Sequence, residues 1–177
     1  TVAWMKMQLE EAKKQGVTVI PVSHHNLLDE STLYPEECTI ENTKEVTALL
    51  EAYGVPVYLS GHLHLQRIKK HTSNLNTPGG YGIREIVTSP LPMAPCQYSI
   101  LKWQADGSLS YHTKKVDIAG WAQRYGEEDE NLLNFDAYAD QFLVDVISEQ
   151  AFKALQSASK DIKEEMARLY ADMNRDY

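Results

Sequence analysis

Apolar residues along this chain fall into three patterns: helical spacing, unbroken runs and two-residue alternation. Val2, Met5, Leu9 and Ala12 recur on one helix face, and Gly16 stands where a left-handed C-terminal cap belongs. Val17 to Val22 is continuous and mostly β-branched, the pattern of a strand buried on both faces. The polar stretch 26–41 reads as loop. Asn42-Thr43-Lys44-Glu45 fits a capping pattern, Val46, Leu49, Leu50 and Tyr53 make the helix stripe, and Gly54 ends it. Val55 to Ser60 repeats the buried-strand pattern. Strand, helix and strand of this size predict a parallel, right-handed crossover.

After His64 the period changes. Residues 66–70 suggest a short strand, and 71–82, with Gly79-Gly80, a loop. A strand is expected over 83–88, then a turn punctuated by Pro90, Pro92 and Pro95. Gln97 to Trp103 and Leu109 to Val116 alternate around Asp106-Gly107, which predicts a hairpin. The acidic stretch 117–134 reads as loop. From Phe135 to about Met173 the spacing is helical, with Phe135, Tyr138, Phe142 and Val146 in one stripe. Leu155, Ile162, Met166 and Leu169 form a second stripe, so one long helix or a hairpin jointed at Ser157-Ala158-Ser159 is expected. The fold class is mixed α/β (α+β), with 1–117 as one domain and 118–177 as an acidic linker and C-terminal helical segment.

With 177 residues, 43% hydrophobic and 24% charged, the chain can bury a core and is not disordered throughout. A net charge of −8 argues against a nucleic-acid groove. Lys69-Lys70 and Lys114-Lys115 then read as solvated strand edges. No apolar run reaches membrane-spanning length. Cys38 and Cys96 read as two buried thiols.

The chemistry lies in the histidines. His24-His25 follows the first buried run, and Gly61-His62-Leu63-His64 follows the second. Four of the six histidines thus stand at the ends of neighbouring strands, where ligands bind in open α/β sheets. Neutral imidazole is a common metal ligand. In an extended segment His62 and His64 face one way, their Cα atoms roughly 6.5 Å apart, a separation suited to imidazoles on two ions. Gly61 would permit the tight turn and close backbone approach. Adjacent His24 and His25 should face opposite ways, one as ligand and the other as its hydrogen-bonded or structural neighbour. A bare G-H-x-H arises by chance in unrelated proteins, and the two clusters within one crossover unit carry the signal. His71 falls in a loop and carries no such signal, and His112, on the hairpin, reads as a surface or edge residue.

With these two motifs the chain resembles the C-terminal portion of the calcineurin-like metallophosphoesterase superfamily. That family carries the blocks D-x-H, G-D-x-x-D and G-N-H, then a later HH and a final G-H-x-H. His24-His25 and Gly61-His62-Leu63-His64 match the last two, and the first three are not in this sequence. The likeness covers roughly 1–117 and not the helical tail, a boundary set by motif reading. It implies the C-terminal half of a β-sandwich flanked by helices. It implies two Mn, Fe or Zn ions, with His24 and His62 on one and His64 on the other, activating hydroxide for attack on phosphorus. The expected function is then the C-terminal region of a dinuclear phosphoesterase hydrolysing a phosphomonoester or phosphodiester. This segment alone would be inactive, with partial or no metal occupancy, and would self-associate by edge pairing or by exchange of its C-terminal helix. Asp29, Glu30, Glu36 and Glu37 are the carboxylates that could substitute for missing ligands, and the loop from His71 to Gly82 would border the substrate. Two other readings stand beside this one. His24, His62 and His64 could hold one zinc as a mononuclear hydrolase site, or the chain could be a non-catalytic interaction domain acting through its acidic C-terminal helix.

Overall fold

The computed structural model describes residues 1–28, 38–71, 82–154 and 159–176. Among them are six helices and two small sheets, a mixed α/β arrangement of the α+β kind. The chain divides into two compact units, Thr1–Ser89 and Pro90–Tyr177.

The first unit opens with α1 (Val2–Gln15), whose buried residue is Leu9. Gly16 ends it at φ 66°, and the Val17 N–H returns to Ala12 O at 3.0 Å. Then come α2 (Thr43–Ala52), β1 (Val57–Ser60), β2 (Arg67–Lys70) and β3 (Arg84–Val87). The strands form one sheet in the order β1-β3-β2, with β1 parallel and β2 antiparallel to β3. Leu9, Val46, Leu50, Val55, Tyr58 and Ile83 pack with Leu27 and Leu28 as the core. Those two leucines follow the first histidine pair, so the core anchors that loop directly.

Three expectations change here. Val17 to Val22 is not a strand buried on both faces. It meets β1 through Leu59 N–H to Pro21 O and Ser23 N–H to Leu59 O, with one parallel bridge, Val22 to Leu59. Val17 and Val22 are 55% and 73% exposed. Among the described residues β1 lies along one side only, and Pro21 has no N–H to extend a ladder. Asn42 precedes α2 but its side chain makes no capping bond, while Thr43 Oγ1 donates back to Ile40 O at 2.6 Å. Lys69 is no solvated edge: it is buried, pairs in register with Glu85, and donates through Nζ to Leu28 O at 2.9 Å.

The second unit begins with a hairpin of β4 (Gln97–Trp103) and β5 (Leu109–Lys115), paired from Gln97↔Lys115 to Trp103↔Leu109 as the alternation predicts. Stretch 117–134 is not loop. It holds α3 (Ile118–Tyr125) and α4 (Glu130–Leu133). Asp117 Oδ1 accepts from Gly120 N–H at 2.9 Å, Gly126 closes α3 at φ 71°, and Asp129 Oδ1 accepts from Asn131 N–H at 2.8 Å. The acids that gave this stretch its loop-like composition are partly its helix caps. The tail is a hairpin of α5 (Phe135–Ala154) packed on α6 (Lys160–Asp176). Leu143 and Ile147 bury against Met93, Ala94 and Val144. Cys38 and Cys96 are free and buried. Among the described residues, no helix is long and apolar enough to cross a membrane.

Candidate metal site

Two loops of the first unit carry the histidines. The one after Val22 is stapled to the one after β1 by Gly61 N–H donating to His24 O at 3.1 Å. His24 Nε2 then lies 3.1 Å from His62 Nδ1. The His25 ring sits 4.7 Å from that of His62 and 5.3 Å from that of His24, centroid to centroid. The expectation that His24 and His25 face opposite ways therefore fails. The chain bends at this pair instead of running extended, so both rings turn toward His62.

The G-H-x-H segment is not extended either. His62 and His64 have φ of 65° and 57°, and Leu63 N–H closes a tight turn onto Gly61 O at 2.8 Å. A left-handed backbone costs an L-residue about 1–2 kcal/mol, and such strain collects at functional sites. Gly61, by contrast, is not required as a glycine: its φ is not positive, and a Cβ there would meet only ordinary contacts at 3.9 Å. The left-handed residues of this turn are the histidines themselves. His62 is half-buried while His24, His25 and His64 are exposed. Burial first, then the charges of His25, His24 and His64, hold the His62 imidazolium below its ordinary pKa. His62 is thereby biased toward the neutral form that binds metals.

Beneath the two loops is a buried polar cluster that sequence reasoning missed. Glu85 on β3 is fully buried. Its Oε1 accepts from Leu27 N–H at 2.7 Å and Ser60 Oγ at 2.6 Å, and Oε2 accepts from Leu28 N–H at 2.7 Å. Asn26, also buried, donates through Nδ2 to Ser60 Oγ at 2.9 Å and to Glu85 Oε1 at 3.3 Å. The available signal was a carboxylate between Arg84 and Ile86 in the strand-like stretch Ile83 to Val87.

His71 lies apart from the cluster, with its Nδ1 2.8 Å from Glu51 Oε1. His112 is exposed on β5 as expected. Asp29, Glu30, Glu36 and Glu37, and 72–81 of the loop expected beside the substrate, lie outside the described residues.

Two nitrogens bonded to one tetrahedral zinc at 2.0–2.1 Å stand roughly 3.3 Å apart. The His24–His62 separation of 3.1 Å is close to that edge. Among the described residues, no group of three or more His, Cys, Asp or Glu is placed to hold a metal as it stands. The donor pair fits that edge, and the His25 ring is the nearest further imidazole with a described distance, 4.7 Å from His62 by centroids.

Residues 117–177 match the model of the C-terminal domain of cyclic nucleotide phosphodiesterase. No curated protein matches the chain. The match covers α3 to α6, so the protein carries a phosphodiesterase-related region, which at a coarse level supports a phosphoester hydrolase. It corrects the resemblance to calcineurin-like metallophosphoesterases, because the family found is a different one and lies on the segment which that resemblance left uncovered. The earlier likeness rested on two short motifs with few fixed positions. The dinuclear centre loses the support of that likeness, and the extended spacing also offered for two ions is not the one the His62–His64 turn adopts.

Proposed function

We propose that the protein is a metal-dependent phosphodiesterase in which His24 and His62, completed by His64 or His25, hold a single divalent ion. Its substrate would be a phosphodiester of the cyclic-nucleotide class named by the matched family. The observation that carries the reading is the 3.1 Å approach of His24 Nε2 to His62 Nδ1, from loops that follow separate strand segments. That spacing leaves no room for a phosphate between the rings. It therefore argues against His24 and His62 working as base and acid on opposite sides of a substrate. It suits two donors sharing one ion. Burial and the neighbouring imidazoles favour neutral His62, so its ring nitrogen is available at neutral pH. A bound divalent ion would supply Lewis acidity and a nucleophilic hydroxide.

The test is calorimetric titration of the metal-stripped protein with Zn²⁺ and Mn²⁺, with hydrolysis of bis(p-nitrophenyl) phosphate followed in parallel. One ion per chain is expected, with binding weakened at least tenfold in His24→Ala and His62→Ala. Hydrolysis that survives both chelation and His62→Ala would overturn the reading, as would the absence of any metal binding.

A further inference from the structure

We propose that Glu85 is a positioning residue that holds the two histidine loops at donor distance; this rests on the metal reading above for its functional meaning. Glu85 sits on β3, the middle strand of its sheet, opposite Tyr58 of β1 on one side and Lys69 of β2 on the other. One of its carboxyl oxygens takes the Leu27 N–H and the Ser60 hydroxyl together. The other takes the Leu28 N–H. Leu27 lies two residues after His25, and Ser60 lies two residues before His62. Asn26 closes the cluster, reaching Ser60 Oγ, Glu85 Oε1 and, at 3.5 Å, Gly61 O.

The carboxylate thus ties the chain leaving the first histidine pair to the chain entering the second. The other bonds between these segments are Gly61 N–H on His24 O, the backbone bonds of Leu59 with Pro21 and Ser23, Tyr58 Oη donating to Ser23 Oγ, and the Asn26 contacts to Ser60 and Gly61, among the described residues. None of the backbone bonds sets the depth at which Asn26 to Leu28 sit against Ser60. A donor pair must be held to within about 0.5 Å to serve a metal. Glutamine at position 85 keeps the volume but turns one acceptor into a donor. It then faces the Leu27 or the Leu28 N–H with like polarity, and the clamp opens on that side.

A purely structural carboxylate would lower stability without disturbing the imidazoles. Glu51 supplies that comparison: its side chain is 7% exposed and accepts from Ile83 N–H at 3.2 Å and meets His71 Nδ1, apart from the four clustered histidines. The experiment compares Glu85→Gln, Ser60→Ala and Glu51→Gln. It reads the ¹⁵N resonances of His24 and His62 in metal-free protein, Zn²⁺ affinity by calorimetry, and urea midpoints. In Glu85→Gln the ring resonances should move to free-imidazole positions and Zn²⁺ affinity should fall about 10–100-fold, as for other groups that orient a ligand. Ser60→Ala, which removes one donor to Glu85 and one acceptor of Asn26 but leaves both backbone N–H bonds to Glu85, should shift both in the same direction by less and keeps the test open if Glu85→Gln does not fold. Glu51→Gln should lower the urea midpoint and leave the ring resonances and Zn²⁺ affinity unchanged. If Glu85→Gln or Ser60→Ala also lowers the midpoint alone, the proposal is overturned. If the rings decouple but wild-type protein binds no Zn²⁺, the positioning role stands and the metal reading falls.

Discussion

Glycine in place of His64 should give a more stable protein than alanine in the same place. His64 has φ 57° and an exposed side chain. Trimming it to alanine removes little packing but leaves a Cβ in the left-handed region. That Cβ costs about 1–2 kcal/mol there. Glycine has no such penalty but loses more backbone freedom on folding, about 0.5–1 kcal/mol. The difference leaves His64→Gly ahead of His64→Ala by ~0.5–1 kcal/mol. For a unit of this size that is a shift of roughly 2–8 °C in melting temperature. Urea denaturation of both variants, with hydrogen exchange at the β1 and β3 amides to confirm that the first unit is what unfolds, measures the gap. Equal midpoints, or alanine ahead, would refute a left-handed His64 and with it the folded turn on which the site is built. Both variants remove the same imidazole, so they should lose Zn²⁺ affinity alike; only stability separates them. His62, at φ 65°, is the poorer probe, because its ring packs on those of His24 and His25.

Two more outcomes follow from the same structure. Gly120→Ala places a Cβ against the Asp117 carboxylate that caps α3, so it should cost about 1 kcal/mol, the value of a lost cap, read as a lower urea midpoint with reduced helicity; an unchanged midpoint would show that the cap is not made. The pKa of His62 is lowered on folding, so between that lowered value and the ordinary ~6.5 the unfolded chain binds more protons than the folded one, and stability must rise with pH. Urea midpoints should therefore fall as pH drops below about 6.5, and His62→Ala should flatten that slope, whereas an equal slope in both proteins would assign the dependence to other groups.

The α1 stripe and Gly16, the α2 stripe, β1 and the β4–β5 hairpin all appear where periodicity and turn residues put them. The misread stretch is 117–134, where composition was weighed above position. Asp117 and Gly126 stand at cap spacing around a short apolar helix, a signal present in the sequence and outvoted by the acidic count. The four histidines were legible as a cluster because the run before the first pair bridges to β1 and the second pair follows β1 itself. Their geometry was not, because the expectation of an extended chain assumed ordinary φ at residues that turned out left-handed. The family was misread for a related reason: short motifs outweighed the long helical tail, where the match falls.

Local pattern determined which segments are helices and strands, since spacing and caps act within a few residues of sequence. It also determined that the histidines gather, since each pair ends a segment that pairs with β1 or belongs to it. Only the tertiary structure decided how deeply each segment is buried and which polar groups meet. Val17 to Val22 has the composition of a central strand, yet its neighbours leave it exposed. Glu85 and Lys69 have the composition of surface residues, yet both are buried beneath or beside the histidine loops. Burial is set by what lies across the sheet, and hydrogen bonds between positions 26–28, 60 and 85 join parts of the chain that no local window contains.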